Sequence, residues 1–113
     1  MINYDDFSKV ELKVATVLSA ERVEGSEKLL QLHVSLGEDP STGSGQVRQI
    51  VSGIAKSYAP EALIGKQVVV IINLEPRMIM GLESNGMLLA ASGESGPVIL
   101  VPEKSVLSGA TIK

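Results

Sequence analysis

The sequence predicts a small all-β protein, an antiparallel barrel closed on itself, and three observations predict it. Short apolar segments recur along the chain, several of them alternating apolar and polar residues with the period of a half-buried strand. Clusters of glycine, serine, proline and acidic residues separate these segments, as turns require. One stretch alone carries helix punctuation; it is brief and falls between the third and fourth segments. So small a sheet would expose long edges if left open, and closure removes them.

Taken in order, Val10, Leu12 and Val14 alternate with Glu11 and Lys13 and open the first strand. The apolar phase then shifts through Ala15 to Leu18, as a bulge or strong coil in a long strand requires. Glu24-Gly25-Ser26-Glu27 is a turn. Leu30, Leu32, Val34 and Leu36 alternate with Gln31, His33 and Ser35 to give the second strand. Glu38 to Gly45 has the composition of a flexible surface loop, and Val47 to Val51 forms a short third strand. In the segment Gly53 to Gly65, Pro60 suits the first turn of a helix from Pro60 to Leu63, and Gly65 suits its end. Gln67 to Ile72 is a strand apolar on both faces, and it leaves into an irregular glycine-rich loop. Met87 to Ala91 reads as another core strand, Gly93 to Pro97 as a turn, and Val98 to Val101 as a last strand ended by Pro102. An SH3-like barrel fits this pattern nearly as well as the five-stranded OB-fold, a barrel that commonly binds oligonucleotides.

Composition limits the function. A chain of 113 residues is one domain, 1–113, and buries about two-thirds of its unfolded surface. It has no cysteine, so disulfides, thiolate metal sites and cysteine nucleophiles are excluded together. No segment approaches the ~18 consecutive apolar residues of a membrane span, and the start lacks the layout of a signal peptide, so a cytoplasmic location is expected. No catalytic constellation is visible. The single histidine, His33, falls on the polar side of its strand and reads as a solvated or hydrogen-bonded residue. Gly65-Lys66 lacks the earlier glycine of a phosphate-binding loop, and Asp5-Asp6 lacks calcium-loop spacing. No metal and no cofactor is expected.

A net charge of −3 opposes RNA binding unless the few cations gather on one surface. The acids fall mostly at Asp5, Asp6 and Glu11, at Glu21, Glu24 and Glu27, and at Glu38 and Asp39, which leaves room for such a patch. Only Tyr4, Phe7 and Tyr58 are aromatic, with Phe7 expected as a core plug. Without stacking platforms, sequence-tolerant single-strand binding is disfavoured, and recognition of a folded RNA by shape, phosphate and ribose fits better.

Asn73-Leu74-Glu75-Pro76-Arg77-Met78-Ile79-Met80-Gly81-Leu82-Glu83-Ser84-Asn85-Gly86-Met87, with Arg48-Gln49-Ile50-Val51-Ser52-Gly53-Ile54 upstream, resembles the tRNA-binding domain of small stand-alone bacterial tRNA-binding proteins and of the C-terminal extension of methionyl-tRNA synthetases. The resemblance runs from Tyr4-Asp5-Asp6-Phe7 to about Gly109. It implies an OB-fold with extra C-terminal strands, a homodimer built partly from those strands, tRNA as partner and no catalytic role. It leaves open whether the domain stands alone or belongs to a synthetase. A family of small secretion chaperones shares the fold and supplies the alternative, a protein-interaction module.

The residues matching the motifs are Lys28, Arg48, Ser52, Asn73, Arg77, Ser84 and Met87. Lys28, Arg48 and Arg77 suit phosphate, Asn73 and Ser84 suit ribose or base edges, and Met87 suits soft contact with an unstacked base. Each also has a plain structural reading: a solvated lysine, a loop-capping asparagine, a core methionine. Met78 stands where family members often carry a second cation, and a lysine there is expected to strengthen binding.

Overall fold

The structure, a computed structural model, describes residues 1–38, 43 and 45–113. Most of the expected loop between Glu38 and Gly45 lies outside them. The elements are α1 (Tyr4–Ser8), β1 (Leu12–Arg22), β2 (Leu30–Glu38), β3 (Gly45–Ser52), α2 (Pro60–Leu63), β4 (Gln67–Ile71), β5 (Arg77–Ile79), β6 (Leu82–Ser84), β7 (Met87–Leu88), β8 (Ala90–Gly93), β9 (Gly96–Ile99) and β10 (Thr111–Ile112). The all-β class stands.

The main sheet runs β3-β2-β1-β4-β7, antiparallel throughout, with β10 added to β1. It curls until β7 approaches β3, and the gap is bridged when the Asn85 N–H donates to the Gln49 carbonyl at 2.7 Å. This is the OB-type barrel, with α2 between its third and fourth strands as expected. The alternating residues of β2, Leu30, Leu32, Val34 and Leu36, meet Ala15, Val17, Ile50, Val68 and Val70 in one core. The phase shift predicted in the first strand is a register slip between Val17 and Ser19, which leaves Leu18 exposed. Pro60 opens α2, Leu63 is buried beneath it, and the Gly65 N–H donates to the Val17 carbonyl at 2.8 Å.

Six expectations change. Val10 is not in a strand: it follows α1, a helix the alternation hid, although Asn3 caps it by accepting from the Asp6 N–H at 2.9 Å. Phe7 is no core plug; it is half-buried beside Tyr4 in the cleft between α1 and β10. Met87 to Ala91 is not one core strand. Leu88 is buried, but the chain switches partners at Leu89, and β8 pairs with β9 as a second leaf, mostly exposed, from which Ile99 enters the core. Its turn is only Glu94-Ser95, because Gly93 already pairs with Gly96, and the strand expected from Val98 to Val101 is Gly96–Ile99, ending before Pro102 is reached. Finally, the glycine-rich loop after β4 is mostly a hairpin, β5–β6, with Met80 at φ 51 and Gly81 at φ 79. Two successive positive φ values make the tight turn that matches strand twist.

The end of the chain returns over the barrel. The Val14 N–H donates to the Ala110 carbonyl at 2.9 Å, and Gly109 lies so close to the Leu36 carbonyl that no Cβ fits there. Among the described residues no helix is long and apolar enough to cross a membrane.

Candidate nucleic-acid interface

Apolar packing fixes where the hairpin sits. Val23, Leu29 and Val51 form a second small core outside the barrel, and Ile79 and Leu82 of the hairpin pack against it. The hairpin therefore clasps the β1–β2 turn as well as β3. At its tip the Met80 methyl lies 3.7 Å from where a Cβ on Gly25 would stand. Lys28, exposed, is on that same turn.

Arg77, Ser84 and Met87 come together around a shallow groove of about 70 Å³, which Val51, Glu75, Ile79 and Gly86 also line. Arg77 and Met87 are exposed. Ser84 is not; it is 5% exposed, accepts from the Val51 N–H at 3.0 Å and donates to the Gly86 carbonyl at 3.2 Å. The Ser84 hydroxyl, expected to serve ribose or base edges, is engaged here in holding the hairpin to β3.

The side chains of Arg48 and Asn73 are engaged within the chain in the same way. Arg48 pairs with Val34, so it leaves β3 on the side of the barrel interior, and its Nη1 donates to the carbonyls of Ile72 (2.9 Å) and Asn85 (3.4 Å). It braces both roots of the hairpin. Asn73 caps no local turn. It accepts from the Glu11 N–H at 2.9 Å and donates to the Lys9 carbonyl at 2.6 Å, tying the α1–β1 junction to the exit of β4. Ser52 ends β3 opposite Leu30, half-buried and away from the groove.

The groove is not strongly basic, because Glu75 shares it with Arg77. Met78 faces Glu83 across the hairpin, on the side opposite Arg77 and Ile79. What the arrangement offers is one exposed guanidinium, a neighbouring exposed lysine and a soft thioether on a braced hairpin.

Sequence reading missed a row of polar residues beside this site. Gln31 and His33 both hydrogen-bond to Gln49 on the outside of β2 and β3. His33 is a hydrogen-bonded strand residue, as expected, held between Ser19 and Gln49. The signal was present in the alternation, which puts these residues opposite the core set. Among the described residues no three metal-ligating side chains are gathered.

A family model described as "Putative tRNA binding domain" matches residues 12–111. The methionine–tRNA ligase of Caldanaerobacter subterraneus subsp. tengcongensis is 49% identical over 111 residues, and that of Methanothrix thermoacetophila 51% over 113, covering 98% and 100% of this chain. The chain spans 16% of the length of each. Among solved structures, a MetRS-related protein from Pyrococcus horikoshii superposes with a TM-score of 0.87 at 33% identity, covering 100% of this chain and 98% of that one. The chaperone CsaA of Bacillus anthracis gives 0.85 at 30% identity, covering 100% and 99%. By the span of the family model and by relatives identical at about half their aligned positions, the chain belongs to the tRNA-binding domain family, in the form carried by methionine–tRNA ligases.

Proposed function

We propose that the chain binds folded tRNA by shape and phosphate contact, as a homodimer, through the hairpin and the adjoining β1–β2 turn. The observation that carries this reading is the pairing of an exposed Arg77 with a hairpin fastened at both roots. A cation on a rigid mount meets a phosphate at a set place without losing much freedom on binding. Lys28 and Met87 extend the same surface, while Arg48 and Ser84 brace the hairpin from beneath and Asn73 ties the exit of β4 to the α1–β1 junction. Three aromatic residues in the whole chain argue against stacking along a single strand.

Dimerisation is supported by the C-terminal leaf. Ala91 pairs with Val98, and both are exposed together with Leu100 and Val101. Such a patch on a monomer suits a second copy, and two copies double a small set of phosphate contacts. Joined to a methionine–tRNA ligase, or acting in trans, the domain raises the local concentration of tRNA. The likeness to CsaA supports the second reading, a chaperone-like module that takes unfolded polypeptide.

The test compares folded tRNA, poly-U of equal length and an unfolded polypeptide in one buffer, with light scattering on the same samples. Preferred binding of tRNA by a species of twice 11.9 kDa is the expected result. Equal binding of poly-U sinks shape recognition, a monomer with undiminished affinity sinks the dimer, and binding of polypeptide alone moves the assignment to the chaperone.

A further inference from the structure

A row of hydrogen bonds crosses the outside of the barrel and ends on the hairpin. Ser19 Oγ lies 3.1 Å from His33 Nδ1, and His33 Nε2 lies 3.1 Å from Gln49 Oε1. Gln31 Nε2 donates to the same Gln49 oxygen at 2.9 Å, and Gln49 Nε2 donates to the Glu83 carbonyl at 2.9 Å. Ser19 stands opposite His33 across β1–β2, and His33 opposite Gln49 across β2–β3, so three strands lead to a fourth, β6.

The chemistry fixes the orientation of both amides in this row. The Glu83 carbonyl can only accept, so Gln49 turns its NH2 toward it and its oxygen toward the sheet. That oxygen also only accepts, so Gln31 presents its NH2 and His33 carries a hydrogen on Nε2. With a hydrogen on Nε2 alone, Nδ1 accepts from the Ser19 hydroxyl; with one on each nitrogen, Nδ1 donates to Ser19 Oγ instead. The main chain of Gln49 acts in the same direction, since its carbonyl receives the Asn85 N–H at 2.7 Å. Gln49 thus grips the return limb of the hairpin on both sides of Ser84.

We propose that Gln49 is a positioning residue of the interface: its amide, oriented by His33 and Gln31, sets the return limb and with it the pose of Arg77 and Met87. This rests on the tRNA-binding reading above. Gln49 lies outside the barrel core, beside Ile50, which points inward, so its side chain can be changed without opening that core. Its loss should therefore loosen the hairpin more than the barrel.

The test uses neutral variants, Gln49→Met, His33→Leu and His33→Gln, in the full chain. Three quantities are read: tRNA affinity, the hydrogen-exchange rate of the Asn85 amide against those of Leu32 and Val34, and the melting midpoint. Gln49→Met is expected to weaken tRNA binding by about three- to tenfold and to speed Asn85 exchange by a similar factor, with Leu32 and Val34 unchanged. His33→Leu should give part of that loss. His33→Gln, which can still offer a donor to Gln49, should restore it. Affinity within twofold of the parent with unaltered Asn85 exchange overturns the proposal. So does lost affinity with unaltered exchange, since Gln49 would then touch RNA itself. If Gln49→Met melts with the whole barrel, the two His33 variants decide by the presence or absence of rescue. A parent chain that ignores tRNA defeats the functional reading alone, because the exchange rates still show whether Gln49 fixes the limb.

Discussion

The two limbs of the hairpin lie side by side in one sequence motif and do opposite work. On the outgoing limb, β5, Arg77 and Met78 are exposed, and only Ile79 turns toward the small core of Val23, Leu29 and Val51. The return limb is gripped: Ser84 is buried between Val51 and Gly86, and Gln49 holds Glu83 and Asn85. One limb is presented and the other is held. On the RNA-binding reading proposed above, a small acidic domain makes a few cations useful by fixing them, and much of the motif serves that fixing.

The sharpest way to break the comparison is at Gly86, where the held limb enters β7. Its φ of +136 suits glycine, and an added Cβ would stand 2.8 Å from the Ile71 carbonyl oxygen and 3.4 Å from Ile50 Cδ1. Gly86→Ala should lose about 3 kcal/mol, from backbone strain and overpacking together. The thermal midpoint should fall by more than about 10 °C. An unmoved midpoint would mean that the return limb is not clamped against the barrel.

Ser84→Ala acts on the same limb with less force. It leaves the Val51 N–H and the Gly86 carbonyl without their partner, at about 1–3 kcal/mol of stability. Urea unfolding measures this, and tRNA affinity should fall only as far as the hairpin loosens. A Ser84→Ala protein of full stability and much reduced affinity would return Ser84 to the RNA surface.

Arg77→Ala probes the presented limb and should do the reverse. Stability should stay within about 0.5 kcal/mol, because Arg77 is exposed. Affinity for all tRNAs should drop by about tenfold, or 1.4 kcal/mol. With roughly three phosphate contacts in each copy of a dimer, log affinity against log salt should slope at about −4 to −5 and flatten by roughly 1.5–2 in the variant. If affinity and slope are untouched, the hairpin is not the RNA surface, and Lys28 becomes the cation to test.

The opposite placements of Arg77 and Ser84 show what the sequence could carry. Period-two alternation placed β2 and its core residues, and Pro60 with Gly65 placed α2, because burial of one strand face and the punctuation of a helix are local signals. The phase slip near Leu18 was legible for the same reason. The hairpin was not. Its turn puts Met80 at positive φ, a conformation that the glycine next to it suggests but a methionine does not. The two-residue strand β10 leaves no periodicity to read, since its partner β1 lies about a hundred residues earlier. Within the site, Arg77 and Ser84 were equally credible as contacts. Only the fold shows that one is exposed and the other bonded to Val51 across 33 residues of chain. Polar residue types serve recognition and bracing alike, so the motif could name the participants without dividing them.

The smallest effect is expected at Met78, and it sharpens the comparison most. In the hairpin register Met78 lies opposite Glu83, and both are exposed on the side away from Arg77. A lysine at 78 therefore meets a carboxylate before it meets a phosphate. A cross-strand pair of opposite charge is worth about 0.2–1 kcal/mol, which offsets much of what one added phosphate contact would bring. Met78→Lys alone should strengthen tRNA binding by less than about twofold, since 0.4 kcal/mol is already a factor of two. Glu83→Gln in the same chain frees the lysine, so the double variant should gain about threefold or more, with a salt slope steeper by roughly 1.5–2 in the dimer. The two changes must therefore be non-additive, and a double-mutant cycle on tRNA affinity measures the coupling. Additive gains, or a tenfold gain from Met78→Lys alone, would show that Glu83 does not screen position 78. Position 78 would then be as free to meet phosphate as Arg77, and the held limb would place no carboxylate in the way of the presented one.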